Sequence, residues 1–135
     1  MPKKQRSGAE PDSYLRGRPS WRLSKLRMDQ PFGWDQISRT DLEDVVTHLS
    51  SLESMTWSEI VVAARKQNHY CDVEDLSKPA REIIIQDWRG ADQVLSIRLT
   101  NLKRVWGIME QGVLYLLWWD PDHQVYPSTF KDRFS

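Results

Sequence analysis

Val94-Leu95-Ser96-Ile97-Arg98-Leu99-Thr100-Asn101-Leu102-Lys103-Arg104-Val105-Trp106-Gly107-Ile108-Met109-Glu110-Gln111-Gly112-Val113-Leu114-Tyr115-Leu116-Leu117-Trp118-Trp119 is the stretch on which the fold turns. Val94, Leu95, Ile97 and Leu99 make one strand, and Asn101 supplies a turn. Arg104 to Met109 makes the next, and Glu110-Gln111-Gly112 is a short hairpin loop leading into Val113 to Trp119. That last run is apolar at every position, so neither of its faces can stand in water. It therefore belongs in the centre of an antiparallel sheet, covered on both sides.

Upstream of Gly90 the periodicity is helical. Ser77 is placed as an N-cap, Pro79 is tolerated in the first turn, and Ala80, Ile83, Ile84 and Trp88 fall on one face. Gly90 ends that helix. Earlier still, Thr40-Asp41-Leu42-Glu43 matches a capping box and opens a helix carrying Leu42, Val45, Val46, Leu49 and Leu52 on one stripe. The same device recurs at Thr56-Trp57-Ser58-Glu59, followed by Ile60, Val61 and Ala64, and predicts a second helix. His69-Tyr70-Cys71 falls in the loop before the third. Trp21, Leu23 and Leu26, interleaved with Arg22, Ser24 and Lys25, read as an edge strand whose charges suit that place. Asp29 to Trp34 is a connector broken by Pro31 and Gly33.

The pattern is that of an α+β chain: an N-terminal edge strand, two to three helices, then the sheet. Residues 1–18 hold five basic and two acidic side chains and only Tyr14 and Leu15 as large apolar groups. They read as a disordered basic tail whose removal leaves the fold intact. Residues 19–135 read as a single α+β domain, the size of one core.

Nineteen basic and nineteen acidic residues balance to zero, so the chain lacks the overall basic surplus of a strong nucleic-acid binder. Seven Trp in 135 residues mark a bulky core for most of them and a recognition surface for the rest. The single cysteine, Cys71, excludes an internal disulfide and a thiolate metal cage, which fits a reducing, cytoplasmic compartment. The longest apolar run is too short to span a membrane. There is no Walker loop, dinucleotide fingerprint, metalloprotease helix or nucleophile elbow, and no cofactor or metal is called for. His48 reads as a boundary residue of the first helix, and Cys71 as a buried apolar one.

From Ile97 to Tyr126 the sequence resembles the C-terminal half of the RelE/ParE toxin superfamily of small bacterial proteins. The resemblance rests on the strand bearing Arg98, the hairpin opened by Arg104-Val105, the apolar run, and His123-Gln124-Val125-Tyr126 at the end. It implies a RelE-like order of elements and a toxin component of a toxin–antitoxin-like system, neutralised by an antitoxin protein. It further implies a metal-independent endoribonuclease acting on messenger RNA, free or on the ribosome. In that chemistry the ribose 2′-hydroxyl attacks the neighbouring phosphate, with cations stabilising the phosphorane and other groups moving protons. The resemblance assigns the charge to Arg98 and Arg104, and proton transfer or base stacking to His123 and Tyr126. Whether the chain is an enzyme stays open, since some relatives act on DNA gyrase instead. The alternative is a non-catalytic protein-interaction module that binds through exposed Trp106, Trp118 or Trp119 and the basic tail.

Overall fold

A computed structural model describes residues 13–127. In chain order its main elements are β1 (Ser20–Arg22), α1 (Arg39–Leu52), a π-helical turn (Ser58–Ala63), β2 (Asn68–Asp72), α2 (Lys78–Asp87), β3 (Gln93–Thr100), β4 (Lys103–Glu110) and β5 (Val113–Asp120). The strands form one mixed sheet in the order β1-β5-β4-β3-β2. The class is α+β, and the edge strand, helices and sheet succeed one another as expected.

The antiparallel meander β3-β4-β5 is the part the sequence spells out. Gln111 (φ 53°) and Gly112 (φ 91°) make a two-residue turn closed by the Glu110–Val113 pair. Positive φ at both central residues gives the twist that a tight hairpin needs. A bulge lies just past Trp106, where Gly107 meets β5. A Cβ on Gly107 would stand 2.5 Å from the Tyr115 carbonyl oxygen, so only glycine fits.

Val113 to Trp119 is interior, as its composition requires, although β4 and not β5 is the middle strand. On one face Leu114, Leu116 and Trp119 join Leu95, Ile97, Val105 and the buried stripe of α1. On the other, Leu117 and Trp118 join Val94, Trp106, Ile108 and the Ala80 and Ile84 positions of α2. Each face of β5 thus has its own apolar layer, which is why its sequence does not alternate.

Several local expectations are corrected. Helix α1 is capped by Ser38, whose Oγ accepts from the Asp41 N–H at 3.0 Å, and Thr40 lies inside the helix. Ser38 sits in extended backbone, the conformation an N-cap needs. Leu42 and Val46 stay exposed, leaving Val45, Leu49 and Leu52 as the buried stripe. The capping box at Thr56 does form, with Glu59 accepting from the Thr56 N–H at 2.9 Å and Thr56 Oγ1 from the Glu59 N–H at 3.2 Å. It opens only a π-helical turn, at whose start Trp57 is tethered: its N–H donates to Gly17 O and its indole to Gly112 O, both at 2.8 Å. His69-Tyr70-Cys71 is part of β2, antiparallel to β3 with Cys71 opposite Val94.

β1 is shorter than expected and pairs with β5 in parallel, so the sheet is not wholly antiparallel. Beyond β1 the chain keeps company with β5, Arg27 N–H donating to Leu117 O and Trp119 N–H to Phe32 O. Of the expected disordered tail, residues 1–12 lie outside the described part. Residues 13–18 are ordered: Ser13–Arg16 form a 3-10 turn, and the Tyr14 and Tyr70 hydroxyls stand 2.7 Å apart. Tyr14 and Leu15 pack on the α1-side core, a contact their isolated apolar character hides.

Candidate functional site

Antiparallel register decides which side chains of the meander share a row. Arg98 on β3 stands opposite Arg104 on β4, and Arg104 stands opposite Asp120 at the end of β5. Directly paired residues project to the same face, with Cβ atoms about 5 Å apart. The same face carries the next row, Ser96, Trp106 and Trp118, and is the face α2 covers.

Like charges placed opposite each other cost stability unless something compensates. Arg104 is half-held by main-chain carbonyls, donating to Asn101 O and to Lys103 O. Burial first, and then the Arg98 charge, pull its guanidinium below the ordinary arginine range, while the Asp120 carboxylate pushes the other way. Arg98 is fixed through its backbone: its N–H donates at 3.2 Å both to Gln67 O and to the Oδ1 of buried Asn68. Asn68 in turn donates to Ile60 O at 3.2 Å, tying the π-helical turn to β3.

Asp120 is 1% exposed and accepts three hydrogen bonds. Trp106 Nε1 donates to Oδ2 at 3.1 Å, Val125 N–H to Oδ2 at 3.0 Å, and Gln124 N–H to Oδ1 at 2.8 Å. The carboxylate therefore folds the segment after β5 back onto the sheet. His123 rides on that turn in a left-handed conformation, φ 60°. Its Nδ1 is buried with no hydrogen-bond partner among the described residues. Val125 O accepts from Ser77 N–H at 2.8 Å, which docks the turn on the start of α2, and Tyr126 packs into the α2-side core.

The arrangement brings Arg98 and Arg104 together and sets His123 on a turn anchored to the third member of their row. Tyr126 reaches the same face, as part of a packed cluster. By sequence alone Asp120 reads as a strand breaker, and Asn68 passes unnoticed. The only signal for Asp120 is a carboxylate shortly before the His, in Asp120-Pro121-Asp122-His123. Trp106, Trp118 and Trp119 are at most 3% exposed, so the alternative that relies on them as an exposed binding surface is corrected: they are core. Trp106 commits its indole N–H to Asp120.

Comparison with protein-family models, with curated proteins and with solved structures finds no match to this chain. Among the described residues no helix is long and apolar enough to cross a membrane.

Proposed function

We propose that the chain is the toxin component of a toxin–antitoxin-like pair, acting on messenger RNA by metal-independent cleavage. The observation that supports this is the Arg98–Arg104 pair: two arginines directly opposite in register on β3 and β4, close enough for the Arg98 charge to act on Arg104, in the row whose third member, Asp120, anchors the turn that carries His123. Two neighbouring cations are an attractive seat for an anion, beyond what the buried Asp120 carboxylate opposite Arg104 supplies, and a phosphodiester is such an anion. Their combined charge would stabilise the phosphorane as the ribose 2′-oxygen attacks phosphorus. The 2′-hydroxyl proton passes to one proton-transfer group, and another protonates the departing 5′-oxygen. A 2′,3′-cyclic phosphate and a 5′-hydroxyl result. His123 is the first choice for one of these roles, because an imidazole carries one nitrogen that can give a proton and one that can take it. Tyr126 takes the other, or stacks on a base.

The test is induced expression in a bacterial host, alongside incubation of purified protein with RNA in chelator-containing buffer. Growth arrest and fragments ending in cyclic phosphate are the expected result, with Arg104→Ala and His123→Ala abolishing both while remaining folded at the assay temperature. Intact RNA together with variants that behave as wild type in cells would sink the catalytic reading and favour a non-catalytic interaction module.

A further inference from the structure

We propose that the groove between residues 25–29 and α2 binds single-stranded nucleic acid, with a base against Trp88 and phosphates on Arg22 and Lys25. This surface is separate from the Arg98–Arg104 row, and it would bind whether or not the chain cleaves RNA.

The first observation is charge. Between Ser13 and Met28 the sequence holds Arg16, Arg18, Arg22, Lys25 and Arg27 and no acidic residue, within a chain whose net charge is zero. None of these five forms an ion pair among the described residues. The second is path. From β1 onward this segment runs beside β5, from the Ser20–Val113 pair to the Phe32–Trp119 hydrogen bond, and so delivers Arg22, Lys25 and Arg27 along one edge of the sheet.

The third is an aromatic wall. A cavity of about 280 Å³ opens between this segment and α2, lined by Lys25 and Arg27 on one side and Ile83 and Trp88 on the other. Trp88 is only half-buried and meets the Tyr115 ring edge-on at 5.4 Å. The Arg22 guanidinium also lies over Tyr115, 5.4 Å from its ring centre. Asp29 and Asp87 line the cavity too and balance Lys25 and Arg27, so the positive excess at this surface is the Arg22 guanidinium over Tyr115. Arg27 has a structural task, donating to the carbonyls of Asp29, Gln30 and Pro31, so the phosphate contacts fall to Arg22 and Lys25. A cationic track with aromatic rings set into it is the arrangement that holds single strands, because every base offers a π-face and every linkage a charge. An acidic peptide would use the cations but not the ring.

The experiment is fluorescence anisotropy with the full chain and a labelled 2′-O-methyl oligouridylate, which keeps the RNA backbone but has no free 2′-hydroxyl to attack. Failure of binding is thereby distinguished from failure of cleavage. The wild type should bind in low salt, and Arg22→Ala/Lys25→Ala should weaken binding roughly tenfold. That variant should also flatten the dependence of log K on log salt by about 1.4, two phosphate contacts at about 0.7 each. Trp88→Ala should lose roughly fivefold or more, with Trp88→Phe retaining most of the affinity. Lys25→Ala alone, at an exposed position, keeps the test decisive should the Arg22 or Trp88 variants melt early. No binding in low salt, or affinity unchanged in these variants, would overturn the proposal. Displacement by polyglutamate with no effect of Trp88→Ala would overturn it in favour of an acidic protein partner.

Discussion

Replacing Asp120 by Ala should destabilise the protein by about 3 kcal/mol. The carboxylate receives Trp106 Nε1, Val125 N–H and Gln124 N–H. The first two bonds are buried, so their donors would be stranded away from water, at about 1–3 kcal/mol each. Gln124 N–H is only partly buried and can turn to solvent, so it adds little. Against the sum stands the cost of burying the carboxylate, which the variant no longer incurs and which brings the total back toward about 3 kcal/mol. Asp120→Asn keeps the volume and one acceptor oxygen but turns an NH2 toward a donor, and should lose about 2 kcal/mol. In urea, with a slope of about 1.5 kcal/mol per M, the Ala variant should unfold roughly 2 M earlier with an unchanged slope. A shift under about 0.5 M would show that these three bonds are worth no more than exposed ones, and the turn could no longer be regarded as carboxylate-anchored. The Asn variant also probes function: it should weaken any activity that depends on His123 while still folded at ambient temperature.

A chain starting at Pro19 should melt roughly 5 °C or more below the full chain, because it lacks the Gly17 acceptor for Trp57 N–H and the packing of Tyr14 and Leu15. Equal melting temperatures would return residues 13–18 to the status of a dispensable tail. Burial holds the His48 imidazole below its ordinary 6.5, so the unfolded chain takes up the proton first as the solution is acidified. Stability should therefore be full above pH 6.5 and decline below it, and His48→Gln should flatten that decline in thermal melts on either side of that pH. Burial, then the charges of Asp72 and Asp75, push the Cys71 thiol up to about 12. Native protein should resist an aromatic disulfide reagent that labels the urea-unfolded chain at once, and stability should fall as pH rises from 9.0 toward 12, where only the unfolded thiol ionises.

The meander is legible because its signals are local and redundant: apolar runs of strand length, and a Gln111-Gly112 turn whose glycine tolerates positive φ. β2 is not, because Asn68-His69-Tyr70-Cys71-Asp72 has neither alternation nor an apolar run. Its strand character comes from pairing with β3, a partner distant in the sequence. The helix expected after Thr56 fails for a similar reason. Its cap is local and formed, whereas the bonds that hold Trp57 to Gly17 and Gly112 are tertiary and leave no trace in the local pattern. At the candidate site the cationic pair can be named from the sequence, whereas Asp120 looks like a repulsive neighbour of His123. Only register and hydrogen-bond direction reveal that its charge is directed inward, at an indole and two peptide N–H groups.

That inward use of charge also bears on the apparent conflict between a neutral chain and the anionic ligand proposed for it. Equal counts of acid and base say nothing about where each sign lies. Asp41, Glu43, Asp44 and Glu53 cluster on and just after α1, which covers one face of the sheet. Arg98 and Arg104 stand on the opposite face, and Arg22 joins that side through Tyr115 and its contact with Trp88, just past α2. Asp120, which pairs with Arg104 by register, is buried and fully hydrogen-bonded, so it tempers Arg104 without presenting a negative surface to solvent. Screening over about 8 Å at physiological salt keeps the α1 acids from cancelling cations across the thickness of the sheet. A phosphate approaching the α2-side face would thus meet Arg98, Arg104 and Arg22 together with the α2 carboxylates Glu82 and Asp87, on the far side of the sheet from the acids of α1.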